Sequence, residues 1–207
     1  MTHFKNVINL PDSKDSSNRW VRFLYHLAPL CLAGKPAIAV NQTGNLYGKA
    51  FGKRGEDWLA KLAPDYAIRI FQFGSTTKRV LVLYYRPGRL QEILCMSDNR
   101  KLLACFGYGP DCNLEADFNH LQTRFYDSFP HEVGIFLGIP AHDVAGFLRN
   151  KGKNYLLNGY WKVYQNPGQA LRVFLEFNRA KQKMTKFIFK QLDPPKIKTV
   201  TGVINRS

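Results

Sequence analysis

Two strand-like runs separated by a short polar turn limit the folds open to this chain more than any other feature of its sequence. Residues 66–73 alternate apolar and polar side chains, and residues 79–85 are rich in Val, Leu and Tyr. The sequence GSTT lies between them at 74–77. This pattern predicts a β-hairpin over residues 66–86. The chain is therefore expected to contain at least one antiparallel strand pair.

Most of the remaining pattern is helical. Apolar side chains recur at helical spacing on both sides of the hairpin, and Pro29 is expected to stop or kink the first helix. Asp98 and Asn113 are expected to cap helices. Helices are predicted at 19–33, 56–63, 90–95, 98–106, from 113 onward, in the segment 131–149 and at 167–192, with short strands at 37–40 and 160–164.

These elements predict an α+β fold in a single domain spanning residues 19–192. A small, mainly antiparallel sheet built around the hairpin would be covered by helices. Residues 1–18 are polar and predict a mobile leader. Residues 193–207 are basic and broken by prolines, which predicts a flexible tail.

The segment 131–149 fits a helix-turn-helix template. The template needs a small residue, a turn glycine and a β-branched residue, and Gly134, Gly138 and Val144 stand at those places. The second helix is expected to expose His142, Asp143, Ala145, Gly146 and Arg149. An acidic residue there would repel phosphates, and small side chains offer nothing to base edges. The fit therefore predicts a helical corner, with a structural role favoured over groove recognition.

Positive charge is concentrated toward the end of the chain. The formal net charge is +15, and such an excess favours nucleic acid, an anionic membrane surface or an acidic protein as partner. Residues 149–198 hold 12 Lys plus Arg but only two acids, Glu176 and Asp193. The predicted polyanion-binding residues are three on a connector and five on the last helix: Arg149, Lys151, Lys153, Arg172, Arg179, Lys183, Lys186 and Lys190.

The five cations of the last helix fall in one stripe roughly 60° wide at helical spacing. The alternative to a binding role is a solvated face that only keeps the chain soluble. Almost no acid is interleaved with these cations, so they repel one another without compensating pairs. The stripe is therefore predicted to meet an anion.

No catalytic or metal-binding motif is recognisable. The five histidines are dispersed, and the chain lacks a CxxC pair, a phosphate-loop motif and a nucleophile motif. A candidate pocket would be lined by His131, His142, Tyr155 and Trp161. No metal and no cofactor are expected. The four cysteines are expected to be reduced thiols, with a Cys105–Cys112 bridge as the alternative.

A cytoplasmic location is expected from the sequence. The first residues lack the apolar region of a signal peptide. No apolar run approaches the roughly 20 residues needed to span a bilayer.

One block resembles a family signature. It reads FPHEVGIFLGIPAHDVAGFLRNKGKNYLLNGYWKVYQNPGQA, and HLAPLCLAGKPA, VLVLYYRPGRLQEIL and the long basic last helix fit the same pattern in the same order. Over residues 19–191 the chain resembles an uncharacterised family of clostridia and their relatives, the domain of unknown function 3793. The resemblance implies no established activity, and it implies an association with flavodoxin or iron-uptake genes.

The chain departs from that family pattern at two places. Relatives often have cysteines where this sequence has Leu27 and Leu157-Asn158. A metal or redox role carried by those cysteines is therefore not expected here.

The sequence favours a non-enzymatic basic protein that binds a polyanion, with nucleic acid preferred, through residues 149–198. Two alternatives stay open. One is an accessory protein of iron or flavin metabolism that docks an acidic partner such as a flavodoxin through the same stripe. The other is an enzyme whose site is not recognisable from its sequence.

Overall fold

A four-stranded sheet lies at the centre of the structure, a computed structural model that describes residues 7–9, 16–43, 68–73, 79–127 and 129–191. Its strands are β1 (Val7–Asn9), β2 (Ala37–Thr43), β3 (Arg69–Gln72) and β4 (Arg79–Tyr85), in the spatial order β1-β2-β4-β3. Antiparallel pairing of β3 with β4 confirms the predicted hairpin. Strand β2 also runs antiparallel to β4, and β1 runs parallel to β2. The sheet is thus mainly antiparallel, as predicted.

Seven helices and a second, two-stranded sheet complete the described residues. The helices are α1 (Ser16–Leu32), α2 (Pro87–Cys95), α3 (Ser97–Ala104), α4 (Leu114–Asp127), α5 (Val133–Phe136), α6 (Ala141–Arg149) and α7 (Pro167–Gln191). Strands β5 (Leu157–Asn158) and β6 (Lys162–Val163) form a short antiparallel hairpin between α6 and α7. The α+β class and the single domain agree with the sequence prediction.

The two central strands of the main sheet are buried on both faces. In β4, Val82 and Tyr84 belong to one hydrophobic cluster, whereas Leu83 and Tyr85 belong to another. Successive side chains of a strand point to opposite faces, so the two clusters lie on opposite sides of the sheet. Residues 37–40 of β2 alternate between the clusters in the same way.

Helices cover both faces of this sheet. One face packs against α1, through residues such as Leu24 and Leu27, and against the second half of α7, through Met184 and Ile188. The other face packs against residues of α2 to α6 and against the first half of α7. Helix α7 therefore contributes to both clusters.

The start of the chain differs from the predicted leader. Residues 7–9 pair with residues 39–41 of β2, and α1 begins at Ser16, before the predicted domain boundary. A strand of three residues is too short to show an alternating pattern, which is why the sequence did not reveal it. The remaining residues of the predicted leader lie outside the described residues.

Helix α1 continues through Pro29 instead of stopping there. Leu30 and Cys31, which follow the proline, are buried at 0% and 4% exposure. Burial of these side chains offsets the loss of the helical hydrogen bond that Pro29, which has no amide hydrogen, cannot donate. The helix ends shortly afterwards, where the carbonyl of Pro29 accepts the amide hydrogens of Ala33 and Lys35.

The two predicted helix caps have different outcomes. Asn113 caps α4, since its Oδ1 accepts the amide hydrogen of Ala116 at 3.0 Å. Asp98 lies in the first turn of α3 and makes no cap bond, because α3 already begins at Ser97. Its carboxylate there still suits the helix dipole.

The corner predicted at 131–149 contains one turn, α5, followed by the nine-residue helix α6. A Cβ on Gly134 would lie 3.0 Å from Cγ2 of Val144, so a small residue is needed for this close approach. Gly138 has φ +78° and forms the turn. Both glycines therefore have the roles expected of them, although the first predicted helix is only a single turn.

Helix α7 begins at Pro167 and ends at Gln191, in agreement with the prediction. The predicted helix at 56–63, the turn at 74–77 and the tail at 193–207 lie outside the described residues.

The turn at Gly138 gives a stability prediction with a matched control. A Cβ on Gly138 would lie 2.7 Å from Cγ and Cδ of Pro36 and would also be forced to positive φ. Gly34 has φ +66° but open space around it. We expect Gly34→Ala to lower the free energy of unfolding by about 1 kcal/mol. Gly138→Ala should lower it by about 2–4 kcal/mol.

Urea unfolding followed by circular dichroism measures both changes. The excess loss in Gly138→Ala reports the contact with Pro36. Equal losses in the two variants would show that this contact does not constrain the turn.

Candidate functional site

Five cations form an exposed stripe along α7, here called the α7 stripe. Its members are Arg172, Arg179, Lys183, Lys186 and Lys190, and all five are exposed. None of them forms an ion pair with a described residue. Glu176 is the one acid of this helix. At 1.5 Å per residue the stripe is about 27 Å long.

The opposite side of α7 sets the direction of the stripe. Phe177, Ala180, Met184 and Ile188 are each at most 5% exposed. They pack into the clusters on the two faces of the sheet. Because a helix is rigid about its axis, burying this side holds the stripe toward solvent.

The connector between α6 and β5 carries the other predicted cations. Arg149, Lys151 and Lys153 are exposed. Lys151 and Gly152 have φ +49° and +73°, and the amide of Gly152 donates to the carbonyl of Phe147 at 2.9 Å. The two positive φ angles and this hydrogen bond reverse the chain after α6. The connector cations are left exposed to solvent.

The turn of the β5–β6 hairpin packs against a side of α7 that faces away from the α7 stripe. The ring of Tyr160, in the turn between β5 and β6, lies 5.5 Å from the ring of Phe174 and 5.1 Å from that of Phe177. At about 100° per residue, Phe174 and Phe177 are centred roughly 180° from the stripe. The connector lies at the far end of the same hairpin. No hydrogen bond, ion pair or ring contact between described residues joins the connector cations to the α7 stripe.

The four residues of the predicted pocket contact three different partners. Trp161 is buried, and its Nε1 donates to Oδ2 of Asp143 at 2.7 Å, while Nε2 of His142 lies 3.8 Å from Oδ1 of the same carboxylate. His131 packs against Phe147, with ring centroids 5.2 Å apart. Tyr155 is exposed, beneath the ammonium group of Lys162.

Asp143 and Gly146 were predicted to be exposed, and this prediction is wrong. Asp143 is 2% exposed, and Oδ1 accepts the amide hydrogens of Tyr164 and Gln165 at 2.7 and 3.2 Å. Gly146 is buried beneath the ring of Tyr164. The carboxylate satisfies three donors at once, which compensates for its burial. Helix α6 therefore turns part of its predicted outer face inward, against the β5–β6 hairpin, which favours the structural role of the corner.

A second feature, which the sequence did not reveal, is the buried side chain of Lys35, which lies near α1, α7 and the β5–β6 hairpin. Lys35 is 7% exposed, its Nζ donates to the carbonyl of Leu137 at 2.8 Å, and it lies 5.1 Å from the ring of Phe177. Lys181 lies beside it, with Nζ 4.9 Å from the rings of both Tyr25 and Tyr160. Neither lysine forms an ion pair with any acid in the described ranges.

Burial changes the protonation of this cluster. Burial, together with the smaller effect of the charge of Lys181, lowers the pKa of Lys35 to about 7. Burial and the nearby charges of Lys181 and Arg22 lower the pKa of His26 to about 4. Burial raises the pKa of Tyr160 to about 12. At neutral pH the cluster therefore holds a neutral imidazole, a neutral phenol and a lysine that is close to losing its proton.

The predicted state of the cysteines is wrong for one pair. Cys95 and Cys112 form a disulfide with a Cα–Cα distance of 5.4 Å. Cys31 and Cys105 are free. The seven-residue spacing suggested Cys105 as the partner of Cys112. The structure instead pairs Cys112 with the last residue of α2.

The described part of the chain contains neither a metal-binding cluster nor a membrane-spanning helix. No group of three or more His, Cys, Asp or Glu side chains there is arranged to hold a metal ion. No helix in that part combines the length and the apolar character needed to cross a membrane.

A model of one protein family matches residues 23–198, and its description is "Protein of unknown function (DUF3793)". The chain belongs to the DUF3793 family. This confirms the resemblance seen in the sequence. Neither the curated proteins nor the solved structures contain a match.

Three of the four stretches that carry the DUF3793 resemblance meet at the cluster around Lys35 and Lys181. His26 and Lys35 come from HLAPLCLAGKPA, Leu137 and Tyr160 come from the long block, and Lys181 comes from the last helix. In this DUF3793 protein, three separate segments thus build one buried polar cluster.

The lowered pKa of Lys35 gives a prediction for stability against pH. The unfolded chain binds a proton on Lys35 up to its ordinary pKa of 10.5, whereas the folded protein releases it near pH 7. Because the unfolded state binds more protons between these values, this contribution to stability rises with pH. From pH 7 to pH 9 the wild type should gain about 2 kcal/mol relative to Lys35→Met.

Urea unfolding of both proteins at pH 7, 8 and 9 measures this gain. The comparison cancels titration of His26, the tyrosines and Cys31, which both proteins share. Lys181→Met serves as a second variant and should move the rise to higher pH, because it removes a charge that lowers the pKa of Lys35. A constant difference between wild type and Lys35→Met would contradict the prediction.

Proposed function

We propose that this protein binds a polyanion, with nucleic acid as the favoured one, through the α7 stripe. The observation that supports this is the set of five exposed cations without ion-pair partners among the described residues. Like charges on one helix face repel each other and lower stability. A bound chain of phosphates would compensate them.

The geometry suits contacts to a phosphate backbone. The stripe is straight, about 27 Å long and held on a helix whose other side is buried. Lys and Arg in such a row neutralise phosphates and carry little sequence information. We therefore expect the α7 stripe to bind nucleic acid with little preference for its sequence. The connector cations are not part of the proposed surface.

Salt dependence and a pair of charge-matched variants test the proposal. We expect fluorescence anisotropy with a labelled DNA or RNA oligonucleotide to show binding at about 50 mM salt. Five phosphate contacts to duplex DNA would give a slope of log K against log salt of about −4 to −5. Lys183→Glu/Lys186→Glu should weaken binding roughly tenfold or more.

The control is Lys151→Glu/Lys153→Glu, which changes the net charge by the same amount but on the connector. It should weaken binding by about twofold or less through the general field of the protein. Equal losses in both variants would mean that overall charge, and not the α7 stripe, attracts the oligonucleotide. No binding of either DNA or RNA at low salt would remove nucleic acid as the ligand.

A second candidate is docking of an acidic protein through the same helix, and two exposed leucines favour it. Leu171 and Leu175 are 47% and 53% exposed. At about 100° per residue they lie on one flank of the α7 stripe. An apolar strip beside a row of cations resembles a protein interface more than a phosphate-binding surface, because protein interfaces combine apolar contact with complementary charge.

The leucines separate the two candidates. We expect Leu171→Ser/Leu175→Ser to leave oligonucleotide binding unchanged, because leucine makes no favourable contact with phosphates. The same variant should weaken binding of an acidic protein such as a flavodoxin roughly tenfold, through the loss of buried apolar area. Surface plasmon resonance at low salt measures this. No complex with the wild type would exclude the tested partner.

A further inference from the structure

The only disulfide among the described residues joins two helical segments at an accessible place. Cys95 is the last residue of α2, and Cys112 directly precedes Asn113, the cap of α4. Cys95 is exposed and Cys112 is partly exposed. The buried Cys31 differs, since burial raises the pKa of its thiol to about 12. Small thiol reagents can therefore reach the Cys95–Cys112 bond in the folded protein.

Contacts that do not involve sulfur hold the two cysteines close together. Nε2 of Gln91, one turn before Cys95, donates to the carbonyl of Cys112 at 3.1 Å. The guanidinium of Arg100, on the helix between the two cysteines, donates to the carbonyls of Gly109 and Asp111 just before Cys112. The same guanidinium forms a partly buried ion pair with Asp117 of α4 at 2.8 Å.

These contacts have a consequence for the chemistry of the pair. A Cα–Cα distance of 5.4 Å lies in the range that a disulfide spans without moving the backbone. Since Gln91 and Arg100 hold the segment before Cys112, reduction of the bond does not require the segment to move away. Both the disulfide and the dithiol therefore fit the same fold.

We propose that Cys95 and Cys112 are a reversible redox pair that exchanges with small thiols of the glutathione class while the protein stays folded. A glutathione thiolate attacks the sulfur of the more exposed Cys95, and the thiolate of Cys112 leaves and takes up a proton. A second glutathione thiolate then attacks the glutathione sulfur of this mixed disulfide. The products are the two protein thiols and glutathione disulfide, so two electrons and two protons pass from two glutathione molecules to the protein.

Alkylation in glutathione buffers tests this inference. The full chain is equilibrated at a series of ratios of reduced to oxidised glutathione, treated with N-ethylmaleimide and digested for mass spectrometry. We expect Cys95 and Cys112 to become labelled together as the buffer becomes more reducing. The far-ultraviolet circular dichroism should stay constant throughout. Cys105, which is exposed and free, should be available to the reagent over the whole series or form its own mixed disulfide.

Two variants sharpen the test. Gln91→Ala should move the midpoint several-fold toward the reduced pair, because Cys112 is then held less firmly beside Cys95. Glu92→Ala removes only an exposed pair with Arg89 and should leave the midpoint unchanged. Cys105→Ser should also leave it unchanged, which shows that the third exposed thiol is not the exchanging group.

Several results would overturn the inference. Labelling of Cys95 and Cys112 at different glutathione ratios would show that they do not form a pair. Reduction only after addition of denaturant would show that the bond is closed to exchange in the folded protein. An unchanged midpoint in Gln91→Ala would show that the Gln91 contact does not pre-organise the pair. The outcome is independent of oligonucleotide binding, because the pair lies at the end of α2 and just before α4, and not on α7.

Discussion

The burial of one side of α7 is the constraint on which the rest of the described structure depends. This helix completes the cover of the main sheet beside α1 through Met184 and Ile188, and it reaches the second cluster through Phe174. The same packing turns the cations of the α7 stripe into solvent and gives the β5–β6 hairpin a surface to lie against. A single helix thus sets both the architecture and the candidate binding surface.

The segment that carries the family signature is best understood as a set of close contacts. Gly138 fits beneath Pro36, and Gly146 fits beneath Tyr164, so neither place has room for a Cβ. The carboxylate of Asp143 ties α6 to the hairpin through Trp161 and two backbone amides. These residues explain the pattern by packing and hydrogen bonding, without any catalytic role.

Local patterns were predicted correctly, whereas contacts between distant residues were not. The β3–β4 hairpin and the exposed side of α7 follow from periods of two and 3.6 residues, which a sequence displays directly. The burial of Lys35 depends on the carbonyl of Leu137, 102 residues away. The burial of Asp143 depends on Trp161 and Tyr164, and no periodicity announces a partner in another element.

The position of α7 along the chain has a consequence for folding during synthesis. Every other described element is made before α7, yet Val82 and Tyr84 of the sheet pack in the same cluster as Met184 and Ile188. Until residue 188 has left the ribosome, one face of a sheet that is otherwise complete stays partly uncovered. Exposed apolar surface of this kind attracts chaperones and other unfinished chains. The row of cations next to it on α7 emerges with the cover itself, so the nascent chain acquires its final packing and its charged surface in one step.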